Sequence, residues 1–472
     1  MSNQRSGLPI INLPSRPDGL LLAGGAVVCV DDEFTVHDPG WVMVQADRIV
    51  DVGPGAPPAS AIDAASRIID TSGGVVMPGM VNAHTHLFQT FFRGLADDKS
   101  LLDWLTHCIW PGAAHLDASS AGLAAALGLV ENLRGGATSV IDHQYIHASP
   151  GIDHAIMSVA EQIGIRFLLA RGWADRNYDK RLMESPESVL GQAAALHERW
   201  HGVDGGRLRM QNGPLIPWGC SDQTMAAALA QARSWGVGTH IHCAETSDEV
   251  QMSLDERGVR HVRWLESLDA LGPDVQLAHA VWLDDDEIDV IVNTRAVVVH
   301  CPVSNMYLAS GVPRVVEMAE RGVTVALASD GPGSNNRQDM FEVLKAAALL
   351  QKVNRLDPVA LQPHQVINMA CRGGASALGQ PDLIGVIEPG RQADLLVVNL
   401  ESVFTAPVHR IPSALVFSAP ASNLTHVIVD GRILIDDGEL TMVDEASLIA
   451  QAEQAAANLF ATAQIPTRLT NA

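Results

Sequence analysis

The middle of the chain alternates short apolar runs, each ending in a polar cluster, with longer stretches of helical spacing. The runs that read as parallel strands are Val75–His86, Ala137–Gln144, Ile165–Gly172, Leu208–Leu215, Gly238–Glu245, Val275–Trp282, Ala296–Asn305 and Thr324–Gly331. Between them, Asp153–Ile163, Pro186–Trp200, Asp222–Trp235 and Val312–Arg321 carry helical periodicity. Ser185 stands as N-cap before Pro186, whose missing N–H costs nothing at a first helical position. Ser221 and Gly236 bracket the next helix as cap and stop. Strand-then-helix units repeated in this way predict an α/β chain folded as a (β/α)8 TIM-like barrel, here over residues 75–381.

The flanks follow another rhythm. Residues 19–72 and 385–436 alternate apolar and polar positions between turn residues, as antiparallel strands do. Neither flank makes a core alone. Residues 1–74 and 382–440 are therefore expected to pair into one small composite β-sandwich. The tail, residues 441–472, reads as helical over Glu445–Ala463, which is Ala-rich and free of proline.

Composition narrows the class. At 472 residues and 47% apolar, the chain can build a large core plus a smaller module. Net charge is −23, from 31 basic and 54 acidic residues, which argues against a nucleic-acid partner. The six cysteines are scattered, with no Cys-x-x-Cys pair, and fit a reducing compartment. Met1–Asp18 is polar and broken by prolines, unlike a signal peptide, and Leu20–Val30 is too short to span a bilayer. The expectation is a cytoplasmic enzyme with a small-molecule substrate, no membrane contact, and a homo-oligomeric assembly of two or more copies.

Candidate chemistry gathers at the predicted strand ends. In Val81-Asn-Ala-His84-Thr-His86, two imidazoles on one strand face can chelate a single ion. In Thr239-His240-Ile-His242-Cys-Ala-Glu245, His240 and His242 share a face, so either can supply a third ligand. His242 is preferred because it lies nearer the mouth, with Glu245 just beyond it. Val325-Ala-Leu-Ala-Ser-Asp330 ends an apolar run in a carboxylate before a Gly-rich turn. Three imidazoles and one carboxylate, with a place left for water, suit one divalent metal ion, Zn²⁺ first and Fe²⁺ as a substitute. His279 is a fourth mouth histidine. Two-metal barrels bridge their ions with a carbamylated lysine on a middle strand. Lys99, Lys180, Lys345 and Lys352 are the chain's only lysines, and none falls on a predicted strand.

Taken together, Val76–His86, His242–Glu245, His279, His300–Met306, Ser329–Asn336 and Gly385–Asp394 resemble the amidohydrolase superfamily over nearly the whole chain. The likeness is to its aminohydrolase branch of cytosine, guanine, 8-oxoguanine and S-adenosylhomocysteine deaminases and triazine hydrolases. The resemblance implies His84, His86, His242 and Asp330 as metal ligands, with Glu245, His279 and Asp330 handling protons. It implies hydrolytic release of ammonia from an amino-substituted heterocycle (guanine-like, pterin-like or triazine-like) or a guanidine-like compound. The alternative is hydrolysis of a carbon–chlorine, carbon–N-alkyl or amide bond.

Substrate reading is expected from Gln89, Asp142, Arg171 and Trp173. The ends of strands 2 and 3 resemble the 8-oxoguanine and hydroxytriazine members, whereas Phe91–Pro111 resembles the S-adenosylhomocysteine deaminases. Trp104 and Trp110 can stack on a planar ring but read better as packing. His107, His143, His147 and His300 read as structural, and Asn305, Asn335 and Asn336 as turn-formers.

Overall fold

The computed structural model describes residues 9–468; the first eight residues of the N-terminal segment lie outside them. Among the described residues no helix is long and apolar enough to cross a membrane. An eight-stranded parallel sheet runs in sequence order through Met80–Thr85, Ala137–Gln144, Arg166–Trp173, Leu208–Pro214, Thr239–Cys243, Val275–His279, Val297–His300 and Val325–Leu327. These are called the first to eighth barrel strands below. Helices lie between them, so the fold is a nearly closed (β/α)8 barrel. Hydrogen bonds bring the last strand's end to the first: Asp330 N–H donates to the His84 carbonyl at 3.0 Å, and Ser329 N–H to Asn82 Oδ1 at 2.9 Å.

Six expected strands are shorter than their apolar runs, three of them by more than half or by a break between sheets. Val75–His86 is two strands, because Gly74–Pro78 pairs with Ala26–Val28 and Leu395–Asn399 outside the barrel. Gly79 marks the crossing, where a side chain would collide with Thr138. After His300 the chain turns into the helix Pro302–Tyr307, with proline at its first position. The eighth strand stops at Leu327, where the approach to the Gly-rich turn loses its ladder.

The flanks build two sheets. Leu395–Asn399 pairs antiparallel with both Gly74–Pro78 and Leu424–Val429, at the centre of a seven-stranded sheet. Leu20–Ala23, Gly40–Gln45, Arg48–Pro54 and Arg67–Asp70 form a four-stranded one. Leu20, Leu22, Val42, Val44, Val76, Leu395 and Ile428 fill the space between the sheets as one apolar cluster. The C-terminal helix Glu445–Thr462 returns to the barrel, where Phe460 meets Phe92 edge to face at 5.3 Å.

One buried ion pair ties these parts together. Arg166, opening the third strand, donates to both carboxylate oxygens of Asp394 at 2.7 and 3.0 Å, and Asp394 also accepts from Asp430 N–H. Both side chains are 2% exposed. Arg166→Ala leaves the Asp394 carboxylate buried without its cation, so unfolding in denaturant is expected to show a loss of about 3–5 kcal/mol. An unchanged midpoint would mean the pair does not hold the barrel to the sheets.

Candidate metal centre and catalytic cleft

Alternation along the strands decides which side chains enter the barrel. Leu168, Ala170, Val299, Ala326 and Ala328 form an inner cluster distinct from the one against the helices. Asp330, two residues past Ala328, therefore continues inward. On the first strand the pairing register shifts between Asn82 and Thr85. That bulge lets Asn82 bond to Asn132 and Thr85 to Gln338, while His84 and His86 both project inward.

Three imidazoles and a carboxylate then meet in one place. His84 Nε2 and His86 Nε2 each lie 3.3 Å from Asp330 Oδ1. His242 Nε2 lies 3.3 Å from His86 Nε2. The opposite ring nitrogens are committed: His86 Nδ1 donates to the His143 carbonyl at 2.7 Å and His242 Nδ1 to the Leu215 carbonyl at 2.6 Å. Those bonds fix the tautomers and leave the Nε2 lone pairs facing one another. Burial holds His84 and His242 below the ordinary histidine pKa and pushes His86 down to about 3, so the rings are neutral. Among the described residues His84 Nε2 meets no hydrogen-bond partner beyond its contact with Asp330 Oδ1. Such facing lone pairs repel unless a cation lies among them, and the donor set suits a divalent ion.

His240 packs below, with Nε2 at 2.7 Å from His84 Nδ1. Asp330 Oδ2 accepts from Ser304 at 2.6 Å and Ser334 at 2.9 Å.

Glu245 and His279 stand over this cluster, Oε2 to Nε2 at 3.6 Å. Burial raises the Glu245 carboxyl to about 7, against the pull of His279. Burial also disfavours the His279 imidazolium, but Glu245 and Asp330 outweigh it and raise its pKa. His279 Nδ1 donates to Asn305 Oδ1 at 2.9 Å, and Ser310 donates to Glu245 Oε1 at 3.0 Å. Asn305, expected as a turn-former, lies instead within the helix Pro302–Tyr307 and aims a mouth histidine.

A cavity opens above these groups. His86, His242, Glu245, His279 and Asp330 form its floor, and Tyr145 and Tyr178 lie in its wall. Leu101, Trp104, Leu105, Ile216, Trp218 and Leu308 give it an apolar side.

The four residues expected to read substrate do not line this cavity. Arg171 and Trp173 alternate with inward Ala170 and so leave the barrel. Arg171 pairs with Glu184 at 2.7 Å and Asp153 at 3.5 Å, and Trp173 donates to Asn212. Asp142 alternates with inward Ile141; it accepts from Leu87 N–H, and burial raises its carboxyl to about 8. Gln89 lies behind the wall, donating to the Tyr145 hydroxyl at 3.1 Å. Tyr145 itself was legible: it stands two residues beyond His143, on the same strand face.

The fold and its histidine-carboxylate cluster define the class as a (β/α)8 barrel whose mouth fits a divalent metal ion. Residues 75–434 match the amidohydrolase family, and the chain belongs to it. It is accordingly a hydrolase of carbon–nitrogen bonds. The chain is 39% identical to a 5'-deoxyadenosine deaminase of Methanothermobacter thermautotrophicus, over 89% of this chain and 95% of that protein. It is 33% identical to a 5-methylthioadenosine/S-adenosylhomocysteine deaminase of Syntrophomonas wolfei, over 93% and 99%. Among solved structures, a zinc-bound adenosine deaminase from Xanthomonas campestris superposes with TM-score 0.88 at 31% identity, covering 95% of this chain and 100% of that one. A zinc complex of an atrazine chlorohydrolase from Arthrobacter aurescens gives 0.87 at 25%, covering 93% and 100%. The two deaminases are of the kind that Phe91–Pro111 resembles, and the atrazine chlorohydrolase is of the kind that the second and third strand ends resemble.

The lone-pair geometry makes a prediction independent of turnover. Restoring Zn²⁺ to chelator-treated protein is expected to raise its melting midpoint, with about 2.7 kcal/mol gained at a hundredfold excess over Kd. His242→Ala should abolish most of the gain. An equal rise in both proteins would place the ion elsewhere.

Proposed function

We propose that the protein is a hydrolytic deaminase that replaces the exocyclic amine of an adenine base, in a nucleoside with an uncharged 5' end, by oxygen. The observation that carries this reading is the placement of Glu245 and His279, a carboxylate and an imidazole 3.6 Å apart directly above the histidine-aspartate cluster. The names of the relatives support the base, and the cavity supports the 5' end. Among the described residues its wall offers apolar and phenolic side chains and no lysine or arginine to meet a phosphate. Guanine-like and pterin-like rings have no such support; the chlorohydrolase likeness keeps triazines as the second reading.

His84, His86, His242 and Asp330 would hold one divalent ion, with Zn²⁺ first. When bound, that ion supplies a water acidic enough to ionise near neutral pH. Glu245 takes a proton from the attacking water and delivers it to the ring nitrogen beside the attacked carbon. His279 Nε2 faces the oxygen on which negative charge grows, and Asn305 keeps that ring turned inward. Asp330, held by Ser304 and Ser334, accepts the second proton and passes it to the departing amine. The apolar wall excludes competing water and packs the sugar end.

Ammonia release across 5'-deoxyadenosine, methylthioadenosine, adenosine, adenosine monophosphate, guanine and an aminotriazine tests the assignment. The first two should turn over best and the monophosphate poorly; turnover confined to the triazine would overturn it in favour of the second reading. Glu245→Gln should keep its metal and lose about 10²–10⁴ in kcat. Because Glu245 must be ionised to take a proton, kcat/KM should fall as pH drops, with a midpoint no higher than about 7. A flat profile from pH 5 to 8 would count against Glu245 as the base.

A further inference from the structure

His261 lies outside the cavity, 1% exposed, at the start of the helix His261–Ser267. Its ring is fully engaged with main chain. Nδ1 accepts from Ala244 N–H at 2.8 Å, and Nε2 faces the Glu249 carbonyl at 3.1 Å. A backbone N–H can only donate, so the imidazole proton must sit on Nε2, which donates to Glu249. Burial pushes the imidazolium down to about 4, and the Nδ1 lone pair is available throughout the neutral range.

What this nitrogen holds is unusual. Ala244 has φ 49°, a left-handed conformation that glycine adopts freely and alanine resists. Its carbonyl is pinned from the other side by Trp282 N–H at 2.9 Å and Val281 N–H at 3.1 Å. The next residue is Glu245. A side chain that follows a strained residue keeps its direction only while that residue stays in place. The Glu249 carbonyl belongs to the helix Ser247–Arg257 that follows Glu245, so His261 grips the chain on both sides of the proton-handling carboxylate.

We infer that His261 is a positioning residue for Glu245, holding Ala244 in its left-handed conformation so that the carboxylate points into the cleft. The inference rests on the reading of Glu245 as the proton carrier.

Three substitutions of His261 separate its two bonds. His261→Asn places an amide oxygen where Nδ1 accepts, so it should keep kcat within about threefold. His261→Gln reaches only toward the Nε2 position, and His261→Ala reaches neither. Both should lower kcat by about tenfold to a hundredfold, as small misplacements of a reacting group do. KM and bound metal should stay near those of the parent. Adding Ala244→Gly to His261→Ala should recover part of the lost kcat, because glycine holds the conformation without the clamp; simple destabilisation predicts no recovery.

If His261→Ala does not fold, the Asn and Gln variants carry the same comparison. Equal kcat for Asn and Gln would overturn the inference, as would a double variant no faster than His261→Ala. Glu245→Gln, assayed alongside, tells the two failures apart. If it retains turnover, the reading of Glu245 falls; if it is inactive while His261→Gln is unimpaired, only the clamp falls.

Discussion

Two neutral imidazoles present unshared electron pairs to one another, with a third and a carboxylate beside them, all buried at the mouth of the barrel. His86 Nε2 and His242 Nε2, 3.3 Å apart, have no hydrogen between them, because the far nitrogen of each ring gives its proton to a backbone carbonyl. The acceptors, His143 and Leu215, sit at the ends of the second and fourth strands. Barrel register therefore sets the ring orientations, and the ring orientations set the donor geometry for an ion. The cluster is electrostatically incomplete without a cation, and much else in the mouth is arranged around that demand.

The mouth also concentrates backbone strain. Ala244, His279, Ala280 and Asp330 all have positive φ, and each stands at or just beyond a strand end. Alternation alone would send His279 the same way as Leu277, into the layer between barrel and helices; the left-handed turn re-aims it toward Glu245. Asp330 tolerates the region better than most residues and is held there by Ser304, Ser334 and the Gly331 N–H. Such conformations persist only where the surroundings over-determine them. Here the surroundings are a nearly closed barrel, sheets anchored to it through Arg166 and Asp394, and a terminal helix packed on the segment after the first strand.

Substrate recognition follows a different logic from ion binding. Most of the residues expected to read the ring are polar and near strand ends. Arg171 and Asp142 are both, yet the pleat turns them away from the cleft into buried pairs of their own. The wall that faces the cleft is mainly apolar and phenolic. Leu101, Trp104 and Leu105 come from the loop after the first strand, Tyr178 from that after the third, and Ile216 and Trp218 from that after the fourth. Nothing in the composition of these loops marks them as binding segments, since apolar residues in a sequence look alike whether they pack or receive a ligand.

Strand order and the number of barrel units were legible in the linear chain, which also singles out the imidazoles and the carboxylate that the mouth brings together. Each leaves a local trace: a short apolar run, alternation between turns, imidazoles two apart, a carboxylate where a run ends. These traces survive because hydrophobic period and ligand spacing are properties of neighbouring residues. Tertiary structure alone decided where Val75–His86 breaks between two sheets, which way Arg171, Trp173 and Asp142 point, and that Asn305 and His261 grip groups far away in sequence. The reason is physical: a side chain's direction at a strand end depends on bulges, register and left-handed turns, which arise from closing the barrel and have no signature in the order of residues.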